Sequence, residues 1–582
     1  YLDGDPGWVL KNEELFFKPG GLTYGKRAAA LSCQAMPADT IFSDEGQSVF
    51  SSEGKSKLET IGFLNSRIVR YLINSYCGQH KHSGYLNVLP WLLTDELLSQ
   101  LVARNASSGI QLHLEWERRT DPTYRDSIPS CYSEQSLKNC IRNEVVARVN
   151  DEISFLKEWL DVQSQIEIHA GLSESDRTEF VTACGGDPMS PFFSEGLAED
   201  LAETDDQSGV AGGDDDDDAA ASVVSLPKGH YGFSAGLALS VGVKLESLCS
   251  RIEKGDADAQ TLEPRVSDFF DSYVGASFGR WDIRYATGDR QPPELPDPFD
   301  PLPVCPPGML QNADGLPAAP SDVPEDYPLP ITWSGILVDD EGHPEDIVAR
   351  IRDALAVIWG DRSAAIEQEA CEILGLKQLR DYFAEKKSGD KFFKDHLKRY
   401  SKSRRQAPIY WPLSTESGSY TLWIYYHRLD DQTLYSCIAN FVVPKIEQIE
   451  NDLSRLQKLQ QAGQTDAQTS DEVAKLNDLL KELRNFQDEL KRLAPIWKPN
   501  LNDGVQITAA PLWPLFRNKT WQKKLKETWT KLEKGDYDWA HLAYSIWPDR
   551  VREKCKKDKS LAIAHDLEQI YIEPPAKNKK RK

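Results

Sequence analysis

The sequence predicts an α+β, multidomain protein: a mixed α/β first domain, then largely helical domains that include an antiparallel coiled-coil hairpin. Three observations carry this. At 582 residues the chain is too long for one core and should divide into about three or four domains. Short alternating runs bounded by Gly and Pro crowd the first 115 residues, whereas helical periodicity dominates afterwards. A hydrophobic content of 40%, with 15 Trp, 21 Tyr and 20 Phe, excludes general disorder.

Residues 1–115 form the first predicted domain. Leu22-Thr23-Tyr24 and Thr40-Ile41-Phe42 read as strands between turn residues. Apolar residues at 58, 61, 64, 68 and 72 then predict one helix, whose polar face offers Asn65, Arg67 and Arg70. A helical spacer over 116–194 carries Ile141, Val145, Val149, Ile153 and Leu156. Residues 195–225 read as an acidic disordered linker, with 11 acidic residues and no Lys or Arg between 195 and 218. A helical segment (226–290) leads to a Pro-rich strap (291–330), extended rather than regular.

Over 331–444, helices follow Pro344 through Ile347, Ile351, Leu355 and Ile358, and again from Ile366 to Leu374. Tyr420 to His427 is a strand apolar on both faces, hence buried. Ile446, Ile449, Leu453 and Leu456, then Val473, Leu476, Leu480 and Leu483, give the three-four seam of a coiled coil over 445–494. The polar stretch between them implies a fold-back. A basic C-terminal region, 495–582, closes the chain.

Lys+Arg 68 against Asp+Glu 91 gives a net charge of −23, which excludes an all-over DNA coat; phosphate contacts must be gathered on particular faces. The 10 cysteines contain no CxxC pair, which suits reduced thiols in a cytoplasm. No apolar run is long enough for a bilayer, and no signal segment is evident. Beginning at Tyr1, inside what reads as a folded segment, the sequence looks truncated at its N-terminus.

Signs of chemistry are weak. Gly232-Phe233-Ser234-Ala235-Gly236 lacks an acidic partner for a cofactor loop, so helix packing is the better reading. None of the Pro-Pro pairs, at 292, 306 and 574, has the Asn/Asp and aromatic neighbours that grip a flipped adenine. Glu385-Lys386-Lys387 offers an acid-x-Lys pair, in a setting better suited to a charged helical face. Cys77, His80 and His82 have metal-like spacing without a second ligand pair, so no metal site is assigned.

DNA contact is better supported. Lys18, Thr23, Tyr24, Lys26 and Arg27 gather basic and polar groups around a Gly-rich turn, which permits close phosphate approach. Residues 377–405 hold 11 Lys/Arg against 4 Asp/Glu, ending in Arg404 and Arg405, and Arg428 follows the aromatic strand. These three are candidate phosphate contacts. Asn65 and Arg67 are candidate base readers.

Phe16-Phe17-Lys18-Pro19-Gly20-Gly21-Leu22-Thr23-Tyr24-Gly25-Lys26-Arg27 opens a further pattern. Ile41-Phe42-Ser43-Asp44-Glu45-Gly46, Ile61-Gly62-Phe63-Leu64-Asn65-Ser66 and Asn87-Val88-Leu89-Pro90-Trp91 continue it, as do Ala276 to Arg284, Ala407 to Trp411 and Pro548 to His565. In this order they resemble the target-recognition and C-terminal part of adenine-specific DNA methyltransferases from phage-defence systems of the BREX and DISARM type. The resemblance implies methyl transfer from S-adenosylmethionine to adenine, with that cofactor held by a catalytic domain absent from this sequence. It implies double-stranded DNA as partner, other defence proteins at the hairpin, and no membrane. The alternative is a non-catalytic DNA-specificity subunit or assembly scaffold acting in trans with a methylase or nuclease.

Overall fold

A computed structural model describes residues 20–26, 31–40, 46–51, 55–77, 80–120, 136–183, 259–291, 293–294, 297–385, 391–402, 405–461 and 467–573. The acidic linker and the glycines at 232 and 236 lie outside them, as do Ile41 and Phe42. The fold is α+β, with small antiparallel sheets among many helices.

The first sheet has the order β2-β1-β3, with β1 Gly21–Gly25, β2 Cys33–Met36 and β3 Gly46–Val49. Leu22 stands opposite Ala35 on one side and Val49 on the other. The helix expected over 58–72 is two helices, α1 (Lys57–Leu64) and α2 (Arg67–Tyr76). Asn65 ends the first and Ser66 caps the second, its hydroxyl accepting from the Val69 amide. The period continues across the break because a two-residue step, Asn65-Ser66, changes direction without moving the apolar side chains off the core.

Helix α3 (Glu96–Thr120) covers α1. The two approach closely at Gly62, where a Cβ would lie 2.6 Å from Val102 Cγ1 and 3.0 Å from its carbonyl oxygen. Gly62→Ala should therefore cost about 1–3 kcal/mol by overpacking, although alanine is the better helix former. Chemical denaturation of the two forms measures it; an unchanged midpoint would show that the helices separate without penalty.

A 33-residue helix, α4 (Leu137–His169), joins this part to the rest. At about 1.5 Å per residue it spans about 50 Å. Its start is held in the second core by Leu137 and Ile141, and Glu369 accepts hydrogen bonds from its Leu137 and Lys138 amides. Its later turns supply Phe155, Trp159, Val162 and Ile166 to the first core. The Pro-rich strap makes a second link. The Phe299 carbonyl accepts from the Ala38 amide at 3.0 Å, and a Cβ on Gly20 would sit 2.5 Å from that same oxygen.

The larger core surrounds a three-stranded sheet of order β4-β6-β5: β4 Ile336–Val338, β5 Tyr410–Ser414 and β6 Thr421–Tyr425. Every residue of β6 is buried, as its two apolar faces require. Pro412, which cannot donate to a ladder, sits in the edge strand β5. Around the sheet pack α5 (Ala259–Ser277), α6 (Ile347–Trp359), α7 (Ser363–Ile373) and α8 (Lys391–Arg399).

Helices α9 (Val443–Gln461) and α10 (Ala467–Leu493) lie against each other, with an Arg484–Glu450 ion pair of 2.7 Å between them. Ile446, Ile449, Leu453, Leu480, Leu483 and Leu490 join the larger core, so the pair is seated in the domain at its base. Leu459, farther out, is 38% exposed.

Six described cysteines are free, whereas Cys140 is disulfide-bonded, contrary to the all-thiol expectation. Among the described residues no helix is long and apolar enough to cross a membrane.

Candidate nucleic-acid interface

The ten residues selected from the sequence fall into three groups. Lys18, Arg27 and Arg404 lie outside the described residues. Thr23, Lys26 and Arg405 stand at or near the surface. Tyr24, Asn65 and Arg67 are buried within the fold, which argues against their expected role as DNA contacts, whereas Arg428 is half-buried.

Tyr24 is only 3% exposed, because β1 alternates and its side chain falls on the inner face. Its hydroxyl meets Gln47 Oε1 at 2.5 Å, and burial pushes the phenol far above its ordinary pKa. Asn65 is fully buried. Its Oδ1 accepts from the Cys33 amide and its Nδ2 donates to the Cys33 carbonyl, both at 2.8 Å. The side chain thus imitates the peptide of a neighbouring strand and completes the edge of β2. Reading a base would strand both backbone groups.

Arg67 is buried against Glu167 of α4, with Nε at 2.9 Å and Nη2 at 2.8 Å from the same carboxylate oxygen. The ring of Trp159 lies 5.7 Å from its guanidinium, and the Gln163 side chain caps its amide. Burial raises the Glu167 carboxyl despite the arginine, so the pair is desolvated on both sides. Arg428 lies over the Trp333 ring at 4.4 Å. Gly279 and Gly335, both at positive φ, border it: a Cβ on Gly335 would come within 2.8 Å of Arg428 Cβ.

What remains accessible forms two areas. In the first domain, Lys26 follows β1 and its carbonyl accepts from the Lys81 amide at 2.7 Å, tying the basic turn to the segment after α2. The Lys81 side chain is fully buried, which lowers its pKa. Beyond it His80 and His82 are exposed, as is Tyr85 in the short helix Ser83–Leu86. Lys55 reaches over Trp91, with Nζ 3.4 Å from the ring centroid. The sequence offered His80 and His82 as a weak metal spacing or a loop histidine pair at a helix end, and gave no sign of Tyr85. Among the described residues no cluster of three or more His, Cys, Asp and Glu could hold a metal.

The second area is a cleft of about 1000 Å³ between α8 and the start of α11 (Lys519–Lys534). Lys394, Lys398, Arg517 and Lys519 line it, opposed by Glu385 and Glu416. Arg405 is exposed on the two-residue ladder Lys402↔Arg405, beside Gln406 on the cleft wall. Glu385 of the acid-x-Lys pair is buried, and its charge, with those of Glu416 and Glu482, partly offsets Arg517. The cleft is an electrostatically mixed surface with a cationic excess. It offers phosphate pairing and no assembled catalytic constellation.

No family model matches the chain. It is 28% identical over 192 residues to the adenine-specific methyltransferase BrxX of Escherichia coli O9:H4 (strain HS), a stretch covering 29% of this chain and 15% of that protein. It is 26% identical over 189 residues to the adenine-specific methyltransferase PglX of Lacticaseibacillus casei (strain Zhang), covering 30% of this chain and 15% of that one. The chain thus matches a small share of two much longer bacterial adenine-specific methyltransferases.

Proposed function

We propose that this chain is the sequence-recognition and clamp portion of a site-specific DNA adenine methyltransferase of a bacterial phage-defence system. The observation that carries the reading is the similarity to adenine-specific methyltransferases from two bacteria. In this reading S-adenosylmethionine and the adenine-gripping motif belong to sequence outside this chain. The Lys26 turn and the Arg405 ladder hold duplex phosphates while neighbouring groups read base edges.

The exposed outer turns of α9 and α10 support a second role, contact with another defence protein. Leu459 is exposed there, whereas Ile446 to Leu453 and Leu480 to Leu490 are committed to the core.

A salt titration tests the DNA reading. Lys26→Ala and Arg405→Ala should each weaken duplex binding without altering sequence preference. Each should lower the slope of log affinity against log salt by about 0.9, the signature of one lost phosphate contact. Unchanged slopes in both would assign these groups to solvent or to a protein partner.

A further inference from the structure

We propose that the exposed row His80, His82 and Tyr85 is the base-reading edge of the first domain, in the place that sequence reasoning gave to Asn65 and Arg67. The proposal rests on the reading that the chain binds duplex DNA, and it names the side chains that give specificity.

Charge is the first support. Acidic residues average about one in six along this chain, 91 in 582, yet residues 60–94 contain none. A face that lies against a polyanion must exclude carboxylates, since each would repel phosphate. The cations of the same stretch, Arg67, Arg70 and Lys81, are all buried. They place positive charge beneath the surface and leave the exterior to imidazole, phenol, hydroxyl and amide groups.

Those groups suit base edges. An imidazole and a phenol each donate and accept hydrogen bonds, and ring faces make apolar contact with bases and the thymine methyl. The rings form a row, with centroids 6.4 Å apart from His80 to His82 and again from His82 to Tyr85. His80, His82 and Tyr85 are all exposed.

Rigidity is the third support. The Tyr85 amide donates to the His82 carbonyl at 3.0 Å, and the Asn87 amide to the Ser83 carbonyl at 3.1 Å. The Lys81–Lys26 backbone hydrogen bond fixes the row to the basic turn. A phosphate held at Lys26 therefore sets the position of the rings on the duplex. Backbone contacts position and base contacts specify, and here adjoining segments divide these tasks.

The test is selection from a randomised duplex pool by the purified chain and by His80→Ala, His82→Ala, Tyr85→Phe and Ser83→Asp. The first three should relax preference at one or two positions, losing about 5- to 150-fold in discrimination, with the salt slope kept. Ser83→Asp should weaken binding to every duplex by placing a carboxylate in a stretch that has none. All four sites are exposed, and matching melting curves will confirm that the variants fold. Wild-type selectivity that survives in all three replacement variants would overturn the assignment. So would a wild-type chain that binds duplexes without preference. A chain that binds no duplex at all would instead remove the DNA reading, and this inference with it.

Discussion

Replacing Arg67 with alanine should destabilise the first domain by about 3–5 kcal/mol, the range for breaking a buried ion pair from one side. The Glu167 carboxylate would stay behind with 2% side-chain exposure, in a site whose burial already raises its pKa. The guanidinium also bridges two elements a hundred residues apart, since α2 carries Arg67 and α4 carries Glu167. Removing Glu167 instead, as Glu167→Leu, should be at least as harmful, because it leaves a positive charge beside Trp159. The double variant Arg67→Leu/Glu167→Leu should recover a large part of the loss, since exchanging a buried pair for apolar side chains is often close to neutral. Urea unfolding of the three proteins measures this. A base-reading Arg67 would leave stability nearly untouched and alter sequence preference; the buried pair requires the opposite pattern.

The contrast between Arg67 and β6 shows what the sequence made legible. In β6 both faces are apolar, and burial follows from the strand's own composition whatever its partners. The helix ranges are equally local: Ile347, Ile351, Leu355 and Ile358 mark the buried stripe of α6. Arg67 and Asn65 occupy polar positions in a helical pattern, and such positions ordinarily face solvent. Their burial is decided by α4, about a hundred residues downstream, and by the edge of β2, 32 residues upstream. Nothing within one turn of the helix announces those partners. A local signal did exist for the break itself, because Asn65-Ser66 joins a helix terminator to a good N-cap. The exposed row at 80–85 was legible only as spacing between His80 and His82. Its link to Lys26 is a backbone hydrogen bond across more than fifty residues.

His396 carries the other large expected effect. The ring is fully buried at the junction of α8, α5 and the start of β5. Its Nε2 is met by two donors, the Ile409 amide at 2.9 Å and the Tyr410 amide at 3.1 Å, which fixes that nitrogen as an acceptor. The proton therefore sits on Nδ1 and is donated to Asp271 Oδ1 at 2.6 Å. Arg399 lies 3.5 Å from the same carboxylate, so the aspartate is balanced without an imidazolium. Burial lowers the His396 pKa, and the charges of Arg399 and Arg280 act in the same direction, outweighing Asp271. Replacing it as His396→Ala should cost about 3–5 kcal/mol, from two stranded amides and the cavity left among Phe392, Tyr400 and Tyr410. The loss should also depend on pH with a definite sign. With the folded pKa depressed, the unfolded chain binds the proton first as pH falls. The histidine's contribution is thus complete above its unfolded pKa of about 6.5 and declines below it, by at most about 1.4 kcal/mol per pH unit. The stability gap between wild type and His396→Ala should accordingly narrow from pH 7.5 to pH 5. A gap that widens over that range would mean that the ring is an imidazolium paired with Asp271, and the acceptor role at Nε2 would fall with it.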